Sequence, residues 1–254
     1  MDSDPGSHWH GPRLLDKVCI VTGSSRGVGA AIARGYASEG ARVVVTYSTN
    51  SVAAAEIARE IGSEIVVWLD VRDRDSVRSA FHRISAEVGS IDVLVNNAGI
   101  NRTNDFDLQT DEEWDEVLDV DLTGVFRCIQ EVLPHLADHG SIINIGSLSG
   151  EYGGPRTVSY AVAKKGVQAL THLFARALGS RGIRVNTLSP GVIGGEFTEA
   201  TMSAEVKETA LRLMLIKRFA TYEEMVGAAV YLASDESSYL TAQTISVNGG
   251  AWTH

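Results

Sequence analysis

The sequence predicts an α/β protein built on one doubly wound parallel sheet of about seven strands. Short runs rich in β-branched residues alternate with longer segments of helical apolar spacing, which is the pattern of successive βαβ units. A glycine-rich turn joins the first run to the first helical segment, as in sheets of this class that bind nucleotides. The 254 residues suit one domain, and no linker, repeat or low-complexity tract divides them.

The apolar spacing predicts the order of strands and helices. Seven runs too short for helices are predicted strands, at 17–22, 42–47, 64–69, 91–95, 141–146, 183–188 and 244–247. Helices are predicted at 30–40, 53–61, 74–88, 110–137, 157–180, 203–216 and 222–234. The longest of them, 110–137, carries its apolar residues on one face, at Leu118, Leu122, Val125, Ile129 and Val132.

Charge and composition argue against several kinds of partner. The 32 acidic residues outnumber the 22 basic ones, whereas nucleic acid and anionic membranes both attract basic surfaces. No apolar run approaches the roughly 18 residues that a transmembrane helix needs. The only cysteines, Cys19 and Cys128, suit buried, inert thiols rather than a disulfide. We therefore expect a small-molecule substrate, no nucleic acid and no membrane.

The N-terminal residues 1–16 predict a flexible tail before a domain that spans 17–254. They are polar and lack the apolar centre of a signal peptide, so the expected location is the cytoplasm. His8 and His10 could suggest a metal site, but no third ligand lies near them in the sequence. No metal site is predicted.

The glycine-rich turn has Gly23, Gly27 and Gly29 between the first strand and the first helix. Glycines permit a tight turn and a close approach of phosphate, and the helix N-terminus offers N–H groups and the positive end of its dipole. A turn of this kind alone is weak evidence, but its position at the start of a βαβ unit favours a nucleotide site.

The second strand indicates which nucleotide binds there. A site that prefers NAD(H) has an acidic residue near the end of that strand, for the ribose 2′-hydroxyl. Residues 45–48 contain no acid, and Arg26 in the glycine-rich turn could bind a 2′-phosphate or simply be solvated. NADP(H) is therefore predicted in preference to NAD(H).

The stretch 141–164 carries the residues that predict acid–base chemistry. Tyr160 and Lys164 are four residues apart, on one face of a predicted helix. An ammonium beside a phenol favours the phenolate, so we expect the pKa of Tyr160 to be lowered. Such a phenol can exchange a proton with a carbonyl or alcohol, and Ser147 can hold the same oxygen atom. A pair of surface residues on a helix is the alternative.

Together, TGSSRGVG, Asp70-Val71, NNAG at 96–99, Ser147, YAVAK and SPG at 189–191 resemble the classical short-chain dehydrogenase/reductase family. The motifs follow the family's order and spacing over residues 17–252. The resemblance implies a single-domain Rossmann fold. The sequence is most similar to the 3-oxoacyl-[acyl-carrier-protein] reductase branch, through TGSSRGVG, IDVLVNNAGI and TAQTISVNGG.

The resemblance implies roles for individual residues. Tyr160 would be the general acid in reduction and the base in oxidation, with Lys164 lowering its pKa and Ser147 holding the substrate oxygen. The implied cofactor-binding residues are Gly23, Ser24, Ser25, Arg26, Gly27, Val28, Gly29, Thr46, Asp70, Val71, Asn97, Ala98, Gly99, Tyr160, Lys164, Pro190, Gly191 and Ile193. The family also implies a homotetramer that associates through long helices, and the branch implies a carrier-bound substrate.

Two positions depart from the family pattern. Asp121 stands where the family has a fourth catalytic residue, an asparagine that holds a water leading protons to the lysine, chiefly through its backbone carbonyl. The carboxylate could be tolerated, or it could alter the pH optimum. Gly195 stands where the family commonly has a threonine that touches the cofactor, a contact that Thr198 could take over.

Three functions remain open from the sequence. The first is an NADP(H)-dependent oxidoreductase that interconverts a ketone and a secondary alcohol, such as a 3-oxoacyl thioester reductase. The second is an NAD-dependent dehydrogenase of a sugar, polyol or cyclic alcohol. The third is a nucleotide-binding sensor or assembly protein with little catalysis.

Overall fold

The computed structural model describes residues 11–253, apart from the side chains at 196, 197 and 201. Its core is one sheet of seven parallel strands in the order β3-β2-β1-β4-β5-β6-β7. The strands are β1 Val18–Val21, β2 Arg42–Tyr47, β3 Val66–Trp68, β4 Ile91–Asn96, β5 Leu136–Ile145, β6 Arg184–Pro190 and β7 Thr244–Val247. The predicted single-domain Rossmann fold with a doubly wound parallel sheet is confirmed.

Helices cover both faces of the sheet. They are α1 Gly27–Ser38, α2 Ser51–Ile61, α3 Arg74–Val88, α4 Asp111–Leu118, α5 Gly124–Val132, α6 Ser149–Tyr152, α7 Val158–Leu178, α8 Glu196–Thr201, α9 Ala204–Leu213 and α10 Val226–Ala233. A π-helical turn, Asp119–Thr123, joins α4 to α5. No helix of the described residues is long and apolar enough to cross a membrane.

The central strands β1, β4 and β6 are buried on both sides because the helices cover both faces. Side chains alternate between the faces of a strand, so neighbouring residues enter different cores. Ile20 and Val44 pack into the core beneath α3, α5 and α7, whereas Cys19, Val21 and Val43 pack into the core beneath α1 and α10. Both cysteines are free and buried, as expected.

The strand order creates a crevice at the carboxyl edge of the sheet. From β1 the chain winds outward to β2 and β3, then crosses to β4 on the other side of β1. Ligands of doubly wound sheets bind outside the carboxyl ends of the strands at this reversal. The glycine-rich turn follows β1, NNAG follows β4, Ser147 follows β5 and Gly191 follows β6, so four predicted motifs share one edge.

The predicted helix 110–137 is wrong at its centre and its end. The π-helical turn interrupts it, and the helix ends at Val132, with β5 beginning at Leu136. Pro134 lacks a backbone N–H and so cannot continue the hydrogen-bond series of the helix, which ends there. Leu136 lies four residues after Val132, so its apolar spacing imitates another helical turn although it pairs with Ile91 on β4.

The predicted tail 1–16 is corrected at its inner end. Leu14 is fully buried in the core, and its N–H donates to the Glu39 carbonyl at 2.9 Å. Arg13 forms an ion pair with the Glu39 carboxylate. Residues 13–16 therefore pack against the domain, because one apolar side chain fills a gap beside α1. The first ten residues, including His8 and His10, lie outside the described residues.

Candidate active site

The glycine-rich turn leaves the N-terminus of α1 open. Gly23 and Gly27 have φ values of 65° and 58°, a left-handed conformation that favours glycine. A Cβ on Gly29 would lie 2.6 Å from the Gly23 carbonyl oxygen, so the turn requires glycine there as well. No side chain caps α1, and its first turn has no acidic residue. The first N–H groups of α1 can therefore bind an anion.

Ser24 and Thr46 hold this turn against β2. The Gly23 N–H donates to Thr46 Oγ1 at 3.0 Å, and the Thr46 N–H donates to Ser24 Oγ at 2.9 Å. Both side chains are fully buried. Thr46, one of the predicted cofactor-binding residues, thus lies beside the glycine-rich turn. Its hydroxyl bonds to the backbone of that turn and does not face the solvent.

The NNAG segment is fastened to the same turn. Thr22 Oγ1 accepts the N–H groups of Asn97 and Ala98 at 2.9 and 3.0 Å. Asn97 Nδ2 donates to the Thr22 carbonyl at 2.8 Å. These bonds hold the ends of β1 and β4 together, so the predicted cofactor residues on both strands form one wall of the crevice.

Arg26 is the exposed cation of this wall. No hydrogen-bond or ion-pair partner of its guanidinium occurs among the described side chains. An uncapped helix N-terminus beside an unpaired guanidinium fits a dinucleotide that carries phosphate groups. The partly buried Ser25 and Val28 flank it in the turn.

Asp70 and Val71 lie just after β3, as the sequence indicates. The Asp70 carboxylate pairs with Arg72 at 2.7 Å, and this pairing lowers the pKa of Asp70 below its usual value. The Val71 side chain is buried in the core beneath α5. The side chain of Val71 therefore cannot face an adenine ring, but its backbone can.

Ser147, Tyr160 and Lys164 come together on the other side of the crevice. Ser147 follows β5, and its hydroxyl accepts the Ser149 N–H at 3.1 Å at the start of α6. Tyr160 lies in the first turn of α7 and is partly exposed. The side chain of Gln109 fixes this turn by bonding to the Ser159 side chain at 2.7 Å and accepting the Ser159 N–H at 3.2 Å.

Lys164 lies beneath Tyr160 in an ion pair with Asp121. The ammonium nitrogen is 5.4 Å from the centre of the Tyr160 ring and 3.0 Å from Asp121 Oδ2. It also donates to the Ile145 carbonyl at 3.1 Å. Lys164 is 3% exposed and Asp121 is fully buried, so solvent barely screens this pair.

Asp121 is placed by the π-helical turn between α4 and α5. Its Oδ1 accepts the Ile100 N–H at 2.8 Å, which ties the carboxylate to the NNAG segment. Its Oδ2 accepts no hydrogen bond from the described residues, so the contact with Lys164 is an ion pair. π-Helical turns occur frequently at functional sites, and this one directs a carboxylate at the lysine.

The sequence predicted a lowered pKa for Tyr160, but in the structure the pKa of Tyr160 is raised. Burial raises it above its usual value, the Lys164 ammonium and the Ser147 hydroxyl lower it, and Asp121 raises it, with a net increase in the protein alone. Burial lowers the pKa of Lys164, but Asp121 and Tyr160 outweigh burial and raise it. Burial raises the pKa of Asp121. The sequence revealed the neighbouring charge but not the desolvation.

The loop after β6 closes the crevice. The Gly191 N–H donates to the Val247 carbonyl at 2.9 Å, and the Pro190 carbonyl accepts the Leu148 N–H at 2.9 Å. Ile193 is partly buried and forms a parallel bridge with Ala220. The Thr198 hydroxyl donates to the Ile193 carbonyl. Thr198 is 4% exposed, so the predicted substitute for a threonine at position 195 bonds to the loop itself.

One side chain in this region was missed by sequence reasoning. The ring of Tyr222 lies near Gly27, and its hydroxyl lies at Gly195. The two glycines and the tyrosine are far apart in the sequence, and no motif links them. The TYEEM segment showed only helical spacing, so the sequence carried no signal for this contact.

The fold and the site define a dinucleotide-dependent oxidoreductase. A Rossmann sheet presents an anion-binding turn on one side of its crevice and a phenol beside an ammonium on the other. Comparison with known proteins narrows the class.

Residues 23–252 match the family model described as enoyl-(acyl carrier protein) reductase. A 3-oxoacyl-[acyl-carrier-protein] reductase FabG of Staphylococcus aureus is 40% identical over 244 residues, which cover 94% of this chain and 99% of the relative. The FabG protein of Escherichia coli is 38% identical over 239 residues, covering 93% and 97%.

Two solved structures of oxidoreductases are similar to this chain. A gluconate 5-dehydrogenase from Burkholderia cenocepacia, in complex with NADP and tartrate, has a TM-score of 0.89 and 35% identity, covering 94% of this chain and 97% of that one. A mutant short-chain dehydrogenase/reductase of Serratia marcescens has a TM-score of 0.88 and 33% identity, covering 94% and 99%. The chain belongs to the short-chain dehydrogenase/reductase family, and it is an oxidoreductase.

Proposed function

We propose that this protein interconverts a ketone and a secondary alcohol with NADP(H) as its cofactor. The observation that carries the proposal is the partly exposed Tyr160 phenol above a buried Lys164 ammonium, beside Ser147 and across the crevice from an open helix N-terminus. The relatives that reduce 3-oxoacyl thioesters by name support the same chemistry.

Each residue of the site has a distinct role in this proposal. The bound nicotinamide supplies or accepts the hydride. Tyr160 gives a proton to the substrate oxygen in reduction and removes it in oxidation, while Ser147 donates a hydrogen bond to that oxygen. Lys164 holds a positive charge below the phenol and favours its ionised form.

Arg26→Ala is expected to weaken NADPH binding by roughly ten- to a hundredfold and to leave NADH binding nearly unchanged. The reason is that the exposed guanidinium has no partner among the described side chains and can pair with the 2′-phosphate, which NADH lacks. Titration of protein fluorescence with each nucleotide measures both dissociation constants.

Arg42→Ala is the matched control, since Arg42 is exposed at the opposite end of β2. It removes the same charge and should alter neither constant. Equal affinities of the unaltered protein for NADPH and NADH would contradict the proposed cofactor preference and favour the alternative NAD-dependent dehydrogenase.

The rim of the site favours an apolar substrate over a sugar or polyol. Leu215 and Ile216 are 72% and 58% exposed, and their N–H groups donate to the Gly249 carbonyl. This attachment places them beside Asn248, which lies against Gly191 at the end of β6. An acyl chain can cover this apolar surface, whereas a polyol leaves it in water. We therefore propose a 3-oxoacyl thioester as the substrate, carrier-bound in the cell.

A panel of 3-oxoacyl thioesters, cyclic ketones and sugars, followed by NADPH absorbance, tests the reaction. Consumption of NADPH with thioesters that depends on Tyr160 is the expected result. Activity with sugars alone would support the alternative dehydrogenase. NADPH binding without any turnover that depends on Tyr160 would favour a nucleotide sensor, and reduction of a 2-enoyl thioester alone would contradict ketone reduction.

Asp121→Asn is expected to shift the pH dependence of alcohol oxidation to lower pH. Oxidation requires the phenolate, so kcat/KM rises as the pH passes the pKa of Tyr160. The Asp121 carboxylate raises that pKa, and the neutral amide would remove this effect. The same substitution should move the decline of ketone reduction to lower pH, since reduction requires the neutral phenol. Unchanged profiles in both directions would show that Asp121 does not act on Tyr160.

We also propose that four copies assemble through their long helices, as in the family. Val162 and Leu173 are 46% and 58% exposed on one face of α7, which supports an interface there. Light scattering of the purified protein measures the number of copies.

A further inference from the structure

Tyr222 bridges the two parts of the cofactor crevice. A Cβ placed on Gly27, the first residue of α1, would lie 3.9 Å from Cε1 of the Tyr222 ring. A Cβ placed on Gly195 would overlap the Tyr222 hydroxyl and lie 2.9 Å from the ring carbon Cζ. The ring therefore lies beside the first residue of α1, and its hydroxyl occupies the space that a side chain at position 195 would need.

The backbone around Tyr222 is held firmly to the loop. The Gly194 N–H donates to the Ala220 carbonyl at 2.9 Å, and the Ala220 N–H donates to the Val192 carbonyl at 3.0 Å. On the other side, Glu224 pairs with Arg218 at 2.6 Å and accepts the Thr221 N–H at 2.9 Å. Both ends of the turn are fixed, so Tyr222 moves together with the loop that closes the crevice.

The hydroxyl of Tyr222 is available to a ligand. It forms no hydrogen bond with the side chains and backbone that the structure describes, and the residue is only partly buried. Thr198, the other hydroxyl fixed to this loop, already donates to the Ile193 carbonyl. Gly195 has a φ of 144°, which disfavours any side chain at that position. The Tyr222 hydroxyl is therefore free to donate to a ligand, whereas the Thr198 hydroxyl is not.

The space between this hydroxyl and α1 suits an anion. The first turn of α1 presents uncapped N–H groups and the positive end of the helix dipole to the same space. In a doubly wound sheet this is the place of a dinucleotide's diphosphate. We propose that the Tyr222 hydroxyl donates a hydrogen bond to the diphosphate of NADP(H), from the side opposite α1. This inference rests on the proposed use of NADP(H) and identifies the group that replaces a hydroxyl at position 195.

Tyr222→Phe tests the proposal by binding, without any turnover. The ring and its packing on Gly27 remain, while the hydroxyl is lost. The Kd for NADPH should increase about tenfold, since a hydrogen bond to a charged group disappears. The Kd for adenosine 2′-monophosphate, which has the 2′-phosphate but no diphosphate, should not change. Arg26→Ala should weaken both ligands, which separates the two phosphate sites.

Tyr239→Phe is the matched control, because the Tyr239 side chain is fully exposed. It should leave both constants unchanged. Thermal unfolding of Tyr222→Phe should match the unaltered protein, so that a change in affinity reports the lost hydroxyl. If Tyr222→Phe did not fold, the magnetic-resonance signal of the Tyr222 ring carbon that bears the hydroxyl would be followed in the unaltered protein. It should shift when NADPH is added and stay in place when adenosine 2′-monophosphate is added; no shift with NADPH would overturn the inference.

Three results would overturn the inference. An unchanged Kd for NADPH in Tyr222→Phe would show that the hydroxyl does not touch the cofactor. Tighter binding would show that the hydroxyl obstructs the crevice. Equal weakening of adenosine 2′-monophosphate would place Tyr222 at the wrong phosphate. A complete lack of NADPH binding by the unaltered protein would instead refute the proposed function.

Discussion

Tyr160→Phe is expected to lower kcat/KM for ketone reduction by about 10²- to 10⁴-fold, the contribution of a positioned general acid. The phenol is the proton donor of the proposed reaction, and its ring centre lies 5.4 Å from the Lys164 ammonium nitrogen. Asp121 is fully buried and paired with the lysine, so it cannot replace the phenol. Steady-state rates with the best substrate of the panel measure the loss.

The remaining properties of Tyr160→Phe should be close to those of the unaltered protein. The ring remains in this variant and only the hydroxyl, which contacts Ser147, is lost. The midpoint of thermal unfolding and the Kd for NADPH should therefore change far less than the rate. Tyr231→Phe, on α10 and 37% exposed, is the control and should retain full activity. A rate within about threefold of the unaltered protein, far less than general acid catalysis contributes, would exclude Tyr160 as the proton donor.

The fold could be predicted because the sequence alternates clearly between short β-branched runs and longer segments of helical apolar spacing. Runs such as Val18–Val21 are too short for helices and are buried on both faces, which leaves parallel strands as the interpretation. The boundary of α5 could not be predicted from spacing alone, because Leu136 continues the helical spacing into β5. Pro134 was the available signal for the end of that helix.

The positions of Tyr160 and Lys164 could be predicted, but their ionisation could not. Tyr160 and Lys164 lie one helical turn apart in any sequence with this spacing, so their contact follows from the helix alone. The pKa of Tyr160 also depends on burial and on Asp121, which reaches Lys164 from a different helix. Desolvation is a property of the packed core, and it reversed the direction of the predicted shift.

Tyr222 shows a second limit of sequence reasoning. Its contact with Gly195 depends on a parallel bridge between Ile193 and Ala220, outside the seven named strands. Gly195 suggested a cofactor contact that is missing or taken over by Thr198, whereas the structure shows a loop held by backbone hydrogen bonds, with a tyrosine in the space beside Gly195. A glycine can therefore mark the space that a distant side chain occupies.

Lys164→Met is expected to lower the free energy of unfolding by about 3–5 kcal/mol at neutral pH, because it leaves a buried carboxylate without its cation. Lys164 is 3% exposed, and its ammonium lies 3.0 Å from Asp121, which is fully buried. The Ile145 carbonyl also loses its donor. Urea unfolding at a fixed protein concentration measures the change, and the concentration matters because assembly would add to stability.

The loss of stability should depend on pH in a defined direction. Burial raises the pKa of Asp121 and the Lys164 ammonium lowers it, so removal of the ammonium raises that pKa further. The folded state then retains a proton that the unfolded state releases above the usual aspartate pKa of about 3.9. Stability therefore falls as the pH rises from that value through the folded-state pKa, and the variant should be less destabilised at about pH 5 than at about pH 8.

The double variant Lys164→Met/Asp121→Asn separates the buried charge from the loss of packing. It should be more stable than Lys164→Met alone, because no charge remains buried and the amide oxygen can still accept the Ile100 N–H. Asp121→Asn alone should destabilise less than Lys164→Met, since Lys164 keeps the Ile145 carbonyl as a partner. Additive effects of the two substitutions would show that the two side chains do not interact energetically, and would exclude Asp121 as a source of the pKa shift of Lys164.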